Sequence, residues 1–249
     1  MKTNNETLEN IRINKFISEK GLCSRREADK LIERGRVTVN GIVPITGTKI
    51  TFVDEVRLDG KLLIAQVELV YIVLNKPRGI TCTTERNVSG NIIDFINHPK
   101  RIFPIGRLDK DSEGLILLTN DGDIVNKILR AGNNHEKEYI VTVNKPITLE
   151  FLKNMSQGVK ILDTITKACK AQKESKFIFR IFLTQGLNRQ IRRMCEASDY
   201  KVTKLQRIRI MNITIKNLPI GQWRYLTKKE LETINLLTEE SIKTKEASL

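Results

Sequence analysis

The stretch from residue 104 to residue 122 constrains the fold most, because it places a charged segment directly before an apolar strand. Gly106-Arg107-Leu108-Asp109 comes first, and Gly114 then precedes the run Leu115-Ile116-Leu117-Leu118. A short run that is apolar at every position is typical of a strand buried on both faces. The sequence therefore predicts a buried strand over 115–118, with Arg107 and Asp109 on the segment that leads into it.

The periodicity elsewhere predicts an α+β protein. Strands are expected over 67–74, 137–143, 177–183 and 207–215, and helices over 148–156 and 188–197 and around Ile124–Leu129. Thr227-Lys228-Lys229-Glu230 is a capping box that begins a C-terminal helix. Because strands and helices do not alternate regularly, we expect a mostly antiparallel sheet flanked by helices.

A small module precedes this region. Arg12–Lys20 has helical spacing, Ser24-Arg25-Arg26-Glu27 is a capping box for a second helix, and Val37-Thr38-Val39 leads into an Asn40-Gly41 turn. This order resembles the S4 (α-L) RNA-binding domain. The resemblance implies that its arginines bind structured RNA, namely Arg25, Arg26, Arg34 and Arg36.

The charge of the chain indicates a polyanionic partner. The sequence has 43 Lys and Arg against 29 Asp and Glu, a formal net charge of +14. Neutralisation of phosphates supplies most of the non-specific affinity for nucleic acids. Residues 185–229 hold eleven Lys and Arg against only Glu196 and Asp199. A basic surface that is merely solvated is the alternative.

Cysteine and histidine usage argues against a metal centre. The four cysteines are scattered without a Cys-x-x-Cys pair, and there are two histidines. We therefore expect no metal site, and free thiols in a reducing cytoplasm. Residues 1–10 lack the apolar core of a signal peptide, and no apolar run reaches the length of a membrane span, so no membrane association is expected.

Gly106-Arg107-Leu108-Asp109, with Ser112-x-Gly114-Leu115 behind it, resembles the catalytic motif of the pseudouridine synthases, in the branch that carries an N-terminal S4 domain. The resemblance implies that Asp109 isomerises uridine in RNA without a cofactor, acting as nucleophile or as proton acceptor. It also implies that Arg107 fills the space left by a flipped-out base. An ion pair of Arg107 with Asp109 or Asp111 is the alternative.

Two further segments resemble motifs of the same family. Lys137-Glu138-Tyr139 implies that Tyr139 stacks on the uracil ring, whereas an ordinary strand tyrosine is the alternative. Asn188-Arg189-Gln190-Ile191-Arg192-Arg193 implies that Arg192 pairs with the catalytic carboxylate and that Ile191 packs against the base. Arg189 and Arg193 are expected to bind RNA without a part in the chemistry. A basic helix that only faces RNA is the alternative.

Charged residues of the last long strand are expected to add phosphate contacts, with protection of a sheet edge as the alternative. These residues are Lys204, Arg207 and Arg209, followed by Lys216.

The resemblances also divide the chain and suggest a substrate. We expect a disordered start at 1–10, an S4 domain at 11–65, a catalytic domain at 66–240 and a frayed tail at 241–249. Segments 103–111, 126–133 and 135–139 are most similar to members that modify large-subunit ribosomal RNA. We therefore expect a monomeric RNA pseudouridine synthase that acts on a uridine in a stem-loop of 23S ribosomal RNA.

Three other functions compete with this one. The first is modification of a uridine in a transfer-RNA anticodon loop, and the second is a non-catalytic RNA-binding or ribosome-assembly protein. The third, a hydrolytic glycosidase, is disfavoured because such enzymes usually use two carboxylates and only Asp109 has the motif.

Overall fold

The fold divides into two compact units. The computed structural model describes residues 10–64, 68–129, 133–239 and 241. One unit comprises Met1–Leu69 with Pro99–Arg101, and the other comprises Val70–His98 with Ile102–Leu249. The expected linker at residue 65, nearly all of the expected disordered start and nearly all of the expected frayed tail lie outside the described residues.

The N-terminal unit packs two helices on short strands. Its described elements are β1 (Ile11–Arg12), α1 (Ile13–Glu19), α2 (Arg25–Glu33), β2 (Val37–Val39), β3 (Lys49–Ile50), β4 (Val56–Leu58) and β5 (Lys61–Leu62). β1 pairs with β3, and β2, β4 and β5 form a second sheet, all antiparallel. The capping box at α2 is confirmed, because Ser24 Oγ accepts from the Glu27 amide and the Glu27 carboxylate accepts from the Ser24 amide.

The core of this unit follows from the helical spacing in the sequence. Ile13, Ile17, Ala28 and Ile32 share one buried cluster, into which β2, β3 and β4 each add a residue: Val37, Ile50 and Val56.

The C-terminal unit is built on a nine-stranded sheet. Its described strands are β6 (Tyr71–Lys76), β7 (Phe103–Ile105), β8 (Glu113–Thr119), β9 (Lys137–Val143), β10 (Lys160–Ile161), β11 (Thr164–Ile165), β12 (Lys170–Lys173), β13 (Ile178–Leu183), β14 (Val202–Ile210), β15 (Ile213–Thr214) and β16 (Trp223–Tyr225). The order is β12-β13-β9-β14-β8-β6-β16, with β15 on β14 and β7 on β8, while β10 and β11 form a separate hairpin. Only the β8–β14 pair of this sheet is parallel.

Helices cover both faces of this sheet. The described helices are α3 (Ile92–Ile96), α4 (Gly122–Leu129), α5 (Leu149–Gln157), α6 (Gln190–Glu196) and α7 (Lys228–Leu237). Alternate residues of β8 divide between two cores: Ile116 and Leu118 join α3, α5 and α6, whereas Leu115 and Leu117 join α4 and α7. The expected α+β class with a mostly antiparallel sheet flanked by helices is confirmed.

The predicted single strand over 207–215 is wrong. The strand β14 ends at Ile210, and Met211 adopts a left-handed conformation with φ of 51° that turns the chain back into β15. The Met211 amide donates to the Glu136 carbonyl oxygen at 2.9 Å, which holds this turn against the sheet. No glycine or proline marks the turn, so the sequence reads as one continuous strand. The bounds of the strand predicted over 67–74 also differ from the structure, in which β6 begins at Tyr71 and ends at Lys76.

Candidate active site

Asp109 lies on the loop between β7 and β8. Gly106, with φ of 76°, turns the chain out of β7, and Leu108 is 7% exposed within the core. The Leu108 amide donates to Cys82 Sγ at 3.5 Å, and the Ser112 amide donates to the Asp109 carbonyl oxygen at 3.0 Å. The backbone is thus held on both sides of Asp109, while its carboxylate remains 29% exposed.

Two arginines of the α6 segment face this carboxylate. Arg192 Nε and Arg189 Nη1 each lie 3.7 Å from Asp109 Oδ2. The structure therefore brings Asp109 and Arg192 together across 83 positions of sequence, and it places Arg189 equally near, although Arg189 was expected to contact only RNA.

Arg192 is held rigidly on its other side. Its guanidinium donates to the Val202 carbonyl oxygen at 3.3 Å, the Asp111 carbonyl oxygen at 3.4 Å and Ser112 Oγ at 3.3 Å. Burial lowers the pKa of Arg192, and repulsion by Arg189 lowers it further, whereas attraction to Asp109 raises it. Its Nε is buried without a hydrogen bond, so a small approach of the carboxylate would satisfy that donor.

The other predicted positions on α6 have structural partners. Ile191 is 4% exposed and belongs to the same core as Leu108 and Tyr139. Arg193 donates to the carbonyl oxygen of Asn188 at 3.1 Å and to its side-chain oxygen at 3.4 Å. Arg193 therefore shapes the loop before α6, and its predicted RNA contact stays a prediction.

Tyr139 lies on β9 with its side chain almost wholly buried at 8% exposure. The guanidinium carbon of Arg207 is 6.0 Å from the centre of the Tyr139 ring. Arg207 also donates to the Leu115 carbonyl oxygen at 2.7 Å and to the Arg107 carbonyl oxygen at 3.5 Å. Arg207 is 3% exposed, so the expectation that it contacts phosphate on the surface is wrong. It instead connects the loop that carries Asp109, the strand β8 and Tyr139.

The neighbouring basic residues are engaged with carboxylates. Lys204 Nζ lies 3.0 Å from Glu113, and Arg209 forms ion pairs with Glu136 and Glu138. Lys216 is exposed. Lys204 and Arg209 would have to leave these carboxylates in order to contact phosphate as predicted.

Arg107 is exposed beside Asp109. Among the residues that the structure describes, its side chain forms no ion pair, so the alternative of a pair with Asp109 or Asp111 is not what the free protein adopts. Its role in replacing a flipped base stays a prediction.

The burial of two lysines of this unit was not predicted from the sequence. Lys76 is fully buried, and its Nζ donates to the carbonyl oxygens of Pro77 and Ile80, both at 2.9 Å. These contacts stabilise the turn that follows β6. In that turn the Gly79 amide donates to the carbonyl oxygen of Lys110, the residue after Asp109, at 2.8 Å. Burial lowers the pKa of Lys76. A lysine that ends an apolar strand directly before proline was the available signal.

Lys137 is the second buried lysine. It is 5% exposed on β9, two residues before Tyr139, and its Nζ lies 3.4 Å from the His135 carbonyl oxygen. Burial, with repulsion from Arg207, lowers the pKa of Lys137 to about 8.

The four arginines of the N-terminal unit that were predicted to bind RNA are all exposed, as expected for a nucleic-acid contact. Arg36 is already engaged, since it donates to both carboxylate oxygens of Asp59 at 2.8 and 2.5 Å. Arg25 lies 3.4 Å from the side-chain oxygen of Asn14. Arg26 and Arg34 complete the set, and RNA contacts by the four remain a prediction.

The described residues contain no metal-binding cluster of His, Cys, Asp or Glu, and no described helix is long and apolar enough to cross a membrane.

Known proteins resemble the chain over nearly its whole length. The RNA pseudouridylate synthase family model matches residues 70–197, and the S4 domain model matches residues 11–43. The dual-specificity RNA pseudouridine synthase RluF of Escherichia coli (strain K12) is 58% identical over 233 residues, which cover 93% of this chain and 80% of RluF. The ribosomal large subunit pseudouridine synthase B of Bacillus subtilis (strain 168) is 35% identical over 237 residues, which cover 92% and 97% of the two chains.

A crystal structure of pseudouridylate synthase matches 90% of this chain and 99% of its own, with a TM-score of 0.67 and 30% identity. The predicted resemblance to the branch of the pseudouridine synthases that carries an S4 domain is therefore confirmed. The chain belongs to the RNA pseudouridylate synthase family, in which it joins an S4 domain to the synthase domain.

Proposed function

We propose that this protein isomerises a uridine in a stem-loop of large-subunit ribosomal RNA, with Asp109 as the catalytic carboxylate. The observation that carries the proposal is the pairing of a loop carboxylate, held by backbone contacts on both sides, with the buried guanidinium of Arg192 at 3.7 Å. A carboxylate with a fixed cation beside it stays ionised when a bound base displaces water.

The reaction exchanges one bond for another without redox change. The bond from N1 of uracil to C1′ of ribose breaks, the base turns over, and a bond from C5 to C1′ forms while C5 loses its proton and N1 gains one. The carboxylate of Asp109 either attacks C1′ or accepts a proton from the sugar in this sequence. Neither route needs a metal or a cofactor.

The flipped base needs a surface to stack on and a group to replace it in the helix. Tyr139 is assigned the stacking role, and aromatic stacking of a base contributes roughly 1–3 kcal/mol. Arg107 is assigned the replacing role, because extrusion costs a few kcal/mol and a cation among phosphates offsets part of that cost.

A non-catalytic RNA-binding protein is the weaker alternative. Such a protein needs basic surface but has no need of a partly exposed carboxylate held against a buried arginine. A hydrolytic glycosidase is also weaker, because such enzymes usually use two carboxylates and Asp111, the candidate for the second, is exposed to solvent.

The choice of ribosomal RNA is supported by the description of the Bacillus subtilis relative as a ribosomal large subunit enzyme. The description of RluF as dual-specificity supports a second substrate, for which we propose a uridine in a transfer-RNA anticodon loop. A base in a loop is easier to flip than a base in a paired helix.

We further propose that the protein acts as a monomer in the cytoplasm. All four cysteines are free thiols, and Cys82 and Cys195 are buried, which suits a reducing compartment. Light scattering on a sizing column tests the monomer, for which the expected mass is 28.6 kDa.

Tritium release from RNA labelled at uridine C5 tests the activity. Purified wild type and Asp109→Asn are each incubated with ribosomal RNA fragments and with transfer RNA. We expect release from ribosomal RNA by the wild type and none by the variant, with unchanged RNA affinity of the variant.

Each other outcome changes the conclusion. Release from transfer RNA alone would replace the substrate, and free uracil in the product would indicate a glycosidase. Binding without release from either pool would favour the non-catalytic protein.

A further inference from the structure

Arg189 lies beside Asp109, and the proposed reaction assigns it no role. It precedes α6 in a left-handed conformation with φ of 50° and ψ of 33°, which is uncommon for a side chain other than Gly, Asn or Asp. Its side chain forms no capping hydrogen bond and instead points to Asp109 Oδ2, 3.7 Å away.

The surrounding loop enforces this conformation. The buried side chain of Gln190 accepts from the Leu187 amide at 3.0 Å and donates to Gln185 Oε1 at 3.4 Å. Arg193 holds Asn188 from the following turn of the helix. Because both neighbours of Arg189 are fixed, its backbone strain is maintained by the fold and directs the guanidinium at the carboxylate.

The two guanidinium groups differ in how firmly they are held. Arg192 has three oxygen acceptors besides Asp109 and a side chain that is 10% exposed. Arg189 is 40% exposed, and Asp109 is its only ion-pair partner among the described residues. Arg192 is therefore a fixed counter-ion, whereas Arg189 is free to exchange partners.

The charges around the carboxylate favour such an exchange. Two guanidinium groups share one carboxylate, which leaves a local charge of +1, and their mutual repulsion lowers the pKa of Arg192. A phosphate that enters this site can accept two hydrogen bonds from the Arg189 guanidinium. Its negative charge also reduces the repulsion between the two arginines.

We propose that Arg189 is an exchangeable counter-ion, which pairs with Asp109 in the free enzyme and moves to a phosphate beside the flipped uridine when RNA binds. Arg192 then remains the arginine that is paired with the carboxylate. Arg189 is a positioning residue in this scheme, and RNA binding itself removes one of the two guanidinium groups from Asp109 Oδ2. The inference rests on the proposed function.

The pH dependence of kcat/KM and of kcat in Arg189→Gln distinguishes the free enzyme from the RNA complex. The acidic limb of kcat/KM reports the free enzyme, and that of kcat reports the RNA complex. Loss of a cation makes a carboxylate easier to protonate. We expect the acidic limb of kcat/KM to move to higher pH in Arg189→Gln and the acidic limb of kcat to stay in place.

The other charged and titratable groups around Asp109 are unchanged in this variant. Two cations interact with the carboxylate directly: Lys76 on β6 and Arg192 on α6. The groups that interact with these two cations are Arg78, Cys82, Arg207 and Asp111. A difference between wild type and Arg189→Gln therefore reports Arg189 alone.

RNA affinity supplies an independent readout. Loss of one phosphate contact should reduce the slope of log affinity against log salt by about 0.7–0.9. Arg189→Lys keeps the charge and should restore the acidic limb of kcat/KM. Lys228→Gln removes a remote charge from a side chain that is 91% exposed, and it should leave both acidic limbs in place.

Two results would overturn the exchange. Equal movement of both acidic limbs would mean that Arg189 stays on Asp109 in the complex, and an unchanged salt slope would mean that it binds no phosphate. Absence of tritium release from the wild type would instead refute the proposed function. In that case the salt dependence of RNA affinity still tests the phosphate contact of Arg189, because that measurement needs no turnover.

Discussion

Gly114 on β8 and Arg207 on β14 are partners in the parallel strand pair. Their backbones lie so close that a Cβ on Gly114 would be 2.2 Å from the Arg207 carbonyl oxygen. Gly114 also has φ of 107°, which side chains rarely adopt. The contact is between backbones, so no flexible side chain can move aside. The close approach fixes the strand that follows Asp109 against the strand that carries Arg207.

Gly114→Ala should therefore destabilise the fold by about 2–4 kcal/mol, through steric overlap and backbone strain. Chemical denaturation measures the loss. Gly122→Ala is the matched control, because Gly122 has open space around its Cβ position and lies at the start of α4. It should stabilise the fold by about 0.4–1 kcal/mol. Equal effects of the two substitutions would contradict the close packing.

Arg192→Gln should lower kcat by about 100-fold, as for loss of a fixed donor in an electrostatically organised site. The substitution removes the buried cation beside Asp109. Single-turnover tritium release measures the effect, and circular dichroism checks that the fold persists. Arg192→Lys retains the charge and should recover part of the rate. Wild-type rates in Arg192→Gln would remove Arg192 from the chemistry.

Lys137 should make the stability of the protein depend on pH in the alkaline range. Its pKa is about 8 in the folded chain against 10.5 for an ordinary lysine. Between these values the unfolded chain binds the proton more tightly, so stability rises as pH increases from about 8 to 10.5. Below pH 8 the buried cation costs about 3 kcal/mol, from the 2.5-unit difference at 1.36 kcal/mol each.

Lys137→Met should remove this dependence. We expect the variant to be more stable than wild type at pH 7 and the difference to shrink towards pH 10.5. Urea denaturation at a series of pH values measures it, and subtraction of the two curves cancels other titrating groups. A difference that is constant with pH would show that Lys137 keeps an ordinary pKa.

Glu230 should stabilise the C-terminal helix at neutral pH and fail to do so in acid. Arg224 donates to both of its carboxylate oxygens at 2.7 Å, and this contact lowers the pKa of Glu230 to about 2. Because the folded pKa is depressed, the contribution is complete above pH 4.5 and is lost as pH falls to about 2.

Glu230→Gln should therefore lose about 1–2 kcal/mol at pH 7, after discount for solvent screening, and less than about 0.5 kcal/mol at pH 2. Glu232→Gln is the matched control on the same helix, since Glu232 is 63% exposed and lies 3.9 Å from Lys228. Its loss should stay below about 0.5 kcal/mol. Thermal unfolding at both pH values compares them.

Local features of the fold were predictable because local chemistry decides them. The capping boxes at Ser24 and Thr227 depend on residues three positions apart, and both are present. The buried run after Asp109 is visible in four consecutive apolar residues. The expectation that Arg192 pairs with Asp109 came from the resemblance to a known family. No local sequence pattern predicts a contact between residues so far apart in the chain.

The buried cations could not be predicted in the same way. Arg207 looks like a surface charge in the sequence, and its burial depends on the carbonyl oxygen of Leu115, which lies 92 positions away in the chain. Arg189 reaches the carboxylate because of a left-handed backbone that Gln190 enforces from within the fold. These outcomes depend on how distant segments meet.

The central parallel pair has a consequence for synthesis of the protein. β8 and β14 are neighbours in the sheet although some ninety residues separate them, and Asp109, Tyr139, Arg192 and Arg207 come from four different segments along this span. A nascent chain that has emerged only as far as β9 contains the catalytic loop but neither of the arginines that hold it. The enzyme should thus acquire its activity in one late step, when β14 closes the sheet.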